Sequence, residues 1–120
     1  MRNFDLIIGG DTVRKSPKTS IKSPYDGSVV GKVVFGDRGD FDRALQSACE
    51  SFKIISTMPA HDRARMLRRI SAMIAERKQE LAEIIRDEAG KPITLALREV
   101  ERAVSTFALA ADEALRIDGS

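Results

Sequence analysis

An α+β fold is predicted for this 120-residue chain, with β-hairpins first and three amphipathic helices after them. Three observations carry the prediction. Residues 4–36 hold short β-branched or apolar runs broken by Gly, Pro and Asp, which is how strands and turns are punctuated. From Asp40 onward the apolar residues recur at steps of three and four, the period of a helix with one buried face. A hydrophobic content of 42% can supply a core, while 120 residues suit one domain at most. The expected organisation is therefore β-hairpins over 1–36 and three helices over 40–120, with no complete second domain.

The first hairpin is read from the apolar run Phe4 to Ile8, the turn residues Gly9, Gly10 and Asp11, and a returning strand Thr12 to Lys15. Thr19 to Lys22 begins another extended segment. Ser23, Pro24, Tyr25, Asp26 and Gly27 form a tight turn, since Pro presets one dihedral and Gly tolerates positive φ. Val29 to Phe35 is then a β-branched strand that ends at Gly36.

Asp40 is placed as the N-cap of helix one, whose face is Phe41, Leu45, Ala48 and Phe52 and whose end is near Lys53. Pro59 suits the start of helix two, because its missing N–H would be unpaired there anyway. Leu67, Ile70, Ile74, Leu81, Ile84 and Ile85 share the apolar face of that helix, which is expected to run unbroken to about Ala89. Gly90 fits the left-handed position past a helix end, Lys91 places a cation near the negative pole, and Pro92 opens helix three. Ile93, Leu97, Val100, Val104, Phe107, Ala111 and Ala114 line helix three to about Arg116, where Asp118 and Gly119 stop it.

Charge and composition exclude several functions. Twenty basic and 18 acidic residues are interleaved, and with no Trp and one Tyr there is no basic, aromatic stripe for nucleic acid. No apolar run approaches the roughly 20 residues that cross a bilayer, so no membrane partner is expected and a cytoplasmic location is. Cys49 is the single cysteine, which excludes an internal disulfide.

Few residues invite a chemical role. Cys49 lies beside Leu45 and Phe52 with no base near it, and is read as a buried core thiol rather than a nucleophile. His61 lacks metal-ligating partners at any recognisable spacing and is read as a surface or capping residue. Gly9 and Gly10 lack the third glycine and following helix of a dinucleotide fingerprint. Lys91 has no upstream glycine loop and is read as a helix-end charge. No catalytic, cofactor-binding or metal-binding residue is assigned.

The order of segments nonetheless resembles one family. Ser23, Pro24, Tyr25, Asp26, Gly27 is similar to the Asn, Pro, x, Thr or Asp, Gly turn of the aldehyde dehydrogenases, and it follows an opening Ile, Gly, Gly hairpin as theirs does. Gly31, Lys32, Val33 come next, then Asp42, Arg43, Ala44 and Ala48. Met58 to Ala64 resembles the family's Leu-Pro segment leading into Glu or Asp, Arg, Ala. Glu88, Ala89, Gly90, Lys91, Pro92 resembles its Glu, x, Gly, Lys, Pro junction, and Glu99 and Val100 its downstream Glu, Val pair. Ile55 departs from the pattern, because many members carry Trp there.

The resemblance implies a larger α/β enzyme, of which this chain is the N-terminal segment. Such enzymes oxidise an aldehyde to a carboxylic acid through a Cys thioester, using NAD or NADP, and the residues that do so would fall after Ser120. The isolated piece is expected to bind no cofactor and to be inactive. Glu99, Val100, x, Arg102 further resembles members acting on small anionic aldehydes, such as lactaldehyde or non-phosphorylating glyceraldehyde-3-phosphate dehydrogenases. In those an Arg at the place of Arg102 points to the substrate mouth, and a guanidinium suits a carboxylate or phosphate. Against that stands a plainer reading of Arg102 as a solvated helix charge paired with Glu99 or Glu101. The alternative for the whole chain is a free-standing helical protein-interaction module. Long amphipathic helices with only short strands to cover them should leave apolar surface bare, so self-association is expected.

Overall fold

The computed structural model describes residues 2–117. It divides into two compact units, Met1–Ser56 and Thr57–Ser120. The α+β class holds: the described residues form five short strands followed by four helices instead of three.

In the first unit, β1 (Arg2–Phe4) and β2 (Leu6–Ile8) are separate strands, where one run was expected. The break falls at Asp5, which pairs with Lys18 at 2.8 Å. β2 forms an antiparallel hairpin with β3 (Asp11–Val13), Leu6 opposite Val13 and Ile8 opposite Asp11. Asp11 therefore belongs to the strand and not the turn. Gly9 and Gly10 alone turn the chain, both at positive φ (62° and 91°), as a two-residue hairpin of the right twist demands. β4 (Thr19–Lys22) and β5 (Val29–Val33) pair antiparallel across the expected 23–27 turn, with a register shift between Ile21 and Lys22. β1 adds to the other edge of β5 in parallel, giving the order β1-β5-β4. That parallel pairing has no local turn signal, and periodicity did not reveal it.

Helix α1 (Arg38–Ile55) starts earlier than expected, and Asp40 is not its N-cap. Asp37 holds that place. Its carboxylate accepts from the Asp40 N–H at 2.9 Å, and Asp40 Oδ2 accepts from the Asp37 N–H at 2.9 Å, a reciprocal capping box. A side chain at Gly9 would come within 2.9 Å of Ser47 Oγ, so the hairpin turn lies close against α1. α1 meets the hairpin through Asp40, Ala44 and Ser47, and Phe41 lines the same open groove beside Leu6, Ile7 and Ile8, yet the predicted apolar face is not buried. Phe41, Leu45 and Phe52 are 66%, 53% and 67% exposed. Cys49 is likewise exposed, correcting its assignment to a core.

In the second unit, the long helix expected from Pro59 to Ala89 is two helices, α2 (Ala60–Glu76) and α3 (Lys78–Ala89). Arg77 lies between them at φ −100°, ψ 18°, outside the helical well. Hydrogen bonding carries on through it, from the Arg77 N–H to Met73 O and from the Leu81 N–H to Arg77 O, so the break is a kink. The Arg77 guanidinium grips Glu80 by two bonds of 2.9 and 2.8 Å. Gly90 takes the left-handed conformation (φ 64°) foreseen for it, and Pro92 is the N-cap of α4 (Ile93–Ala114). The expected stop at Asp118 and Gly119 lies outside the described residues.

α4 packs along both α2 and α3. Ala64, Ala111 and Ala114 form one buried cluster with Leu67 against it. Ala82, Ala96 and Val100 form the other, flanked by Ile74, Leu81, Ile85, Ile93 and Leu97. Between them Ser71 Oγ donates to Val104 O at 2.8 Å. Every apolar residue assigned to the face of α4 is buried or half-buried, whereas Ile70 of α2 is exposed.

Candidate functional site

The α3–α4 corner builds a polar groove. Gly90 reverses the chain, Lys91 follows, and the first three turns of α4 present Leu95, Arg98, Glu99 and Arg102 at helical spacing. These five residues, Lys91 included, line an open groove of about 370 Å³. Lys91 Nζ donates to Glu99 Oε2 at 2.5 Å across the corner. This bond holds the Glu99 carboxyl below the usual carboxylate range, aided by the charges of Lys91 and Arg102. Three cations thus face one carboxylate, which Lys91 already engages.

Arg102 therefore stands where an anion could reach it. Glu101, offered by the sequence as its partner, pairs with Lys78 at 2.5 Å instead. Among the described residues, neither Arg98 nor Arg102 makes an ion pair with a carboxylate. Arg98 and Arg102 are four residues apart, so their guanidinium groups share one helix face. The pair could have been read from the sequence by that spacing. Lys91 could not, because the corner brings it back onto Glu99. A planar carboxylate or a phosphate can accept paired N–H bonds from such cations.

Other candidates are scattered. Lys15 reaches Asp37 at 2.5 Å and also Asp40, whose other oxygen receives Arg43. That cluster clamps the start of α1. His61 is exposed and 3.5 Å from Asp62. Among the described residues no group of three His, Cys, Asp or Glu is placed to hold a metal ion, and no helix is long and apolar enough to cross a membrane.

A dinucleotide does not fit what is present. Gly9 and Gly10 lead into strand β3, not a helix. Among the described residues, the strand-to-helix turn that holds a glycine, Gly36 before α1, has its helix start capped by Asp37 and flanked by Asp40. Two carboxylates there would repel a pyrophosphate.

The family model for the aldehyde dehydrogenases matches residues 12–120. The chain belongs to the aldehyde dehydrogenase family. It is 43% identical over 100 residues to an aldehyde-dehydrogenase-like protein of Sinorhizobium fredii, covering 83% of this chain and 20% of that one. It is 37% identical over 106 residues to the lactaldehyde dehydrogenase of Methanocaldococcus jannaschii, covering 88% and 23%. The structure superposes on the NADP-dependent glyceraldehyde-3-phosphate dehydrogenase of Bacillus halodurans with a TM-score of 0.94 at 30% identity, over 100% of this chain and 26% of that one. The chain thus spans about a fifth to a quarter of the length of the relatives it matches.

Proposed function

We propose that this chain is the N-terminal scaffold segment of a cytoplasmic, NAD(P)-dependent aldehyde dehydrogenase that oxidises a small anionic aldehyde to its acid through a Cys thioester. Membership of the family supports the reaction class, and the cationic groove supports the substrate class. The described residues offer the nicotinamide cofactor no cradle, so the residues that hold it, and the catalytic Cys, are assigned outside these 120. Once bound, the cofactor accepts hydride. The role left to this segment is binding: Arg102, with Arg98 beside it, receives the anionic end of the aldehyde. By the same reading the isolated chain turns over no aldehyde, and its bare apolar surface promotes self-association.

The groove carries the proposal, because it gathers Arg98 and Arg102 beside a carboxylate that Lys91 already engages, and among the described residues neither guanidinium forms an ion pair. The test replaces the matching segment of a lactaldehyde dehydrogenase with residues 1–120 and assays the chimera. Arg102→Ala should raise KM for an anionic aldehyde about tenfold, the scale of one charged hydrogen bond, with little change for a neutral aldehyde of equal length. Equal effects on both substrates sink the assignment. Turnover by the 120-residue chain alone would refute the placement of the catalytic residues elsewhere.

A further inference from the structure

We propose that Lys91 is a positioning residue for the anion site: it holds the Glu99 carboxylate off Arg102 and so keeps that guanidinium open to the anionic end of the aldehyde. This rests on the proposed function and deepens it, by naming what sets the charge selectivity of the groove. Left to itself, Glu99 has another partner. It lies three residues before Arg102 on α4, a spacing that puts both side chains on one face, with the acid ahead of the base as a helix favours. Both line the groove. No ion pair joins them, because Glu99 Oε2 accepts from Lys91 Nζ at 2.5 Å instead. The bond from Lys91 does most to hold the Glu99 carboxyl below the usual carboxylate range, and the charge of Arg102 adds to it, so Arg102 is within electrostatic range of Glu99 without a bond to it.

The corner is what lets Lys91 compete. Gly90 turns the chain out of α3 in the left-handed conformation (φ 64°), and Pro92 restricts the residue before it to extended backbone. Lys91 is thereby fixed where its amine reaches the second turn of α4. Lys91 and Glu99 are half-buried, whereas Arg98 and Arg102 are exposed, so the closed pair lies deeper than the two cations that face the solvent. Arg98 is no substitute partner for Glu99, since adjacent residues on a helix do not face each other, and its charge acts, after that of Lys78, on Glu101. Without Lys91, the Glu99 carboxylate turns to Arg102 and takes the same N–H groups that a substrate carboxylate or phosphate needs. The incoming anion must then displace it.

The experiment is a double-mutant cycle in the chimeric enzyme that carries residues 1–120, read as KM and kcat on an anionic aldehyde and on a neutral one of equal length. Lys91→Met should raise KM for the anionic aldehyde about fivefold, the scale of an exposed ion pair that the substrate must break, with kcat and the neutral KM unchanged. Lys91→Arg keeps the bond to Glu99 and should stay near the parent. Glu99→Gln alone should shift the anionic KM less than about twofold, because Lys91 already occupies that carboxylate, and adding it to Lys91→Met should restore the parental value. The proposal is overturned if Lys91→Met has no anion-selective effect. It is also overturned if the double variant stays weak, since Lys91 would then draw the substrate itself, or if Glu99→Gln gains as much as Lys91→Met loses, since the charges would then merely sum. Should Lys91→Met disturb the corner and weaken both substrates, the exchanged pair Lys91→Glu with Glu99→Lys keeps an ion pair there. It should bind the anionic aldehyde as well as the parent does, and a several-fold higher KM overturns the proposal. Arg102→Ala in the same enzyme separates the two readings. A selective loss there with none from Lys91→Met removes the role of Lys91 alone, whereas no selective loss from Arg102→Ala removes the anion site itself.

Discussion

Helix α1 begins on a polar clasp, whereas α2, α3 and α4 close on a seam of alanines. In the first unit the buried group is a charge: Asp40 is only 3% exposed, bound by Lys15, Arg43 and the Asp37 N–H. In the second unit the residues at 0–1% exposure are Ala64, Ala82, Ala96 and Ala111, and among the described residues no large side chain is fully buried. Small residues allow close helix approach, so that unit depends on volume along α4. The capping box makes the start of α1 depend on ionisation. One chain thus contains two means of fixing a helix, and they should fail under different insults.

Overpacking the seam should have the largest effect. Ala96 lies at 0% exposure among Ala82, Val100 and flanking apolar side chains. Ala96→Leu adds volume that the α3–α4 interface lacks and should cost about 2–3 kcal/mol. Urea unfolding followed by helical ellipticity measures the loss, and amide exchange locates it. Protection should drop in α3 and α4 while the first turn of α1 keeps its rate. A variant as stable as the parent would show that the seam has room, and the comparison between the two units would collapse.

The apolar face of α4 was legible in the sequence, because its steps from Ile93 to Ala114 repeat without a gap, but of the four alanines at 0–1% exposure only Ala111 had been assigned to a face. The hairpin was legible for a local reason, the adjacent pair Gly9 and Gly10. The kink at Arg77 was not, since neither Gly nor Pro marks it and the backbone bonding runs through. Asp40 was found but misplaced by one role, because two carboxylates three residues apart can each cap, and only the fold shows which comes first. The α1 face was read as apolar yet wrongly as buried. Periodicity reports that a face is fit for burial and does not say what buries it. In the groove, Arg102 had been singled out by resemblance and Arg98 had not, although its four-residue spacing was there to be read, while Lys91, read as a helix-end charge, reaches Glu99 only through the corner.

Acid should separate the two units next. The bond from Lys15, followed by the backbone bond from the other aspartate, holds both Asp37 and Asp40 below the usual carboxylate range. For a carboxyl whose folded value is depressed, the stabilisation is present above the unfolded value of about 4 and is lost as pH falls through the folded one. Lys15 is shifted upward by the same bonds, so its share is complete below about 10.4 and is lost only as pH rises through the elevated value. Below about pH 4 the first turn of α1 should therefore lose exchange protection before the Ala64–Ala111 seam does. Asp40→Asn should reproduce part of this at neutral pH, with exchange of that turn roughly tenfold faster, the scale of a lost cap. Equal acid sensitivity of both regions would show that the clasp does not govern α1.

The smallest effect should come from the ion pair that spans α2 and α4. Arg68 meets Asp112 at 2.8 Å, but the two side chains are 56% and 60% exposed. Solvent screens such a pair and two flexible side chains must be ordered to form it, so Arg68→Ala should cost at most about 0.5–1 kcal/mol. The same urea titration used for Ala96→Leu measures it, and raising the salt should remove most of the difference. The ratio between these two variants is the sharper quantity. If the Arg68 change approached the Ala96 change, α2 would be held to α4 by charge as α1 is held at its start, and the seam of alanines would only set the distance. If it stays several-fold smaller, dense packing of small residues fixes the helices that carry Arg98 and Arg102, and the groove inherits its geometry from that seam.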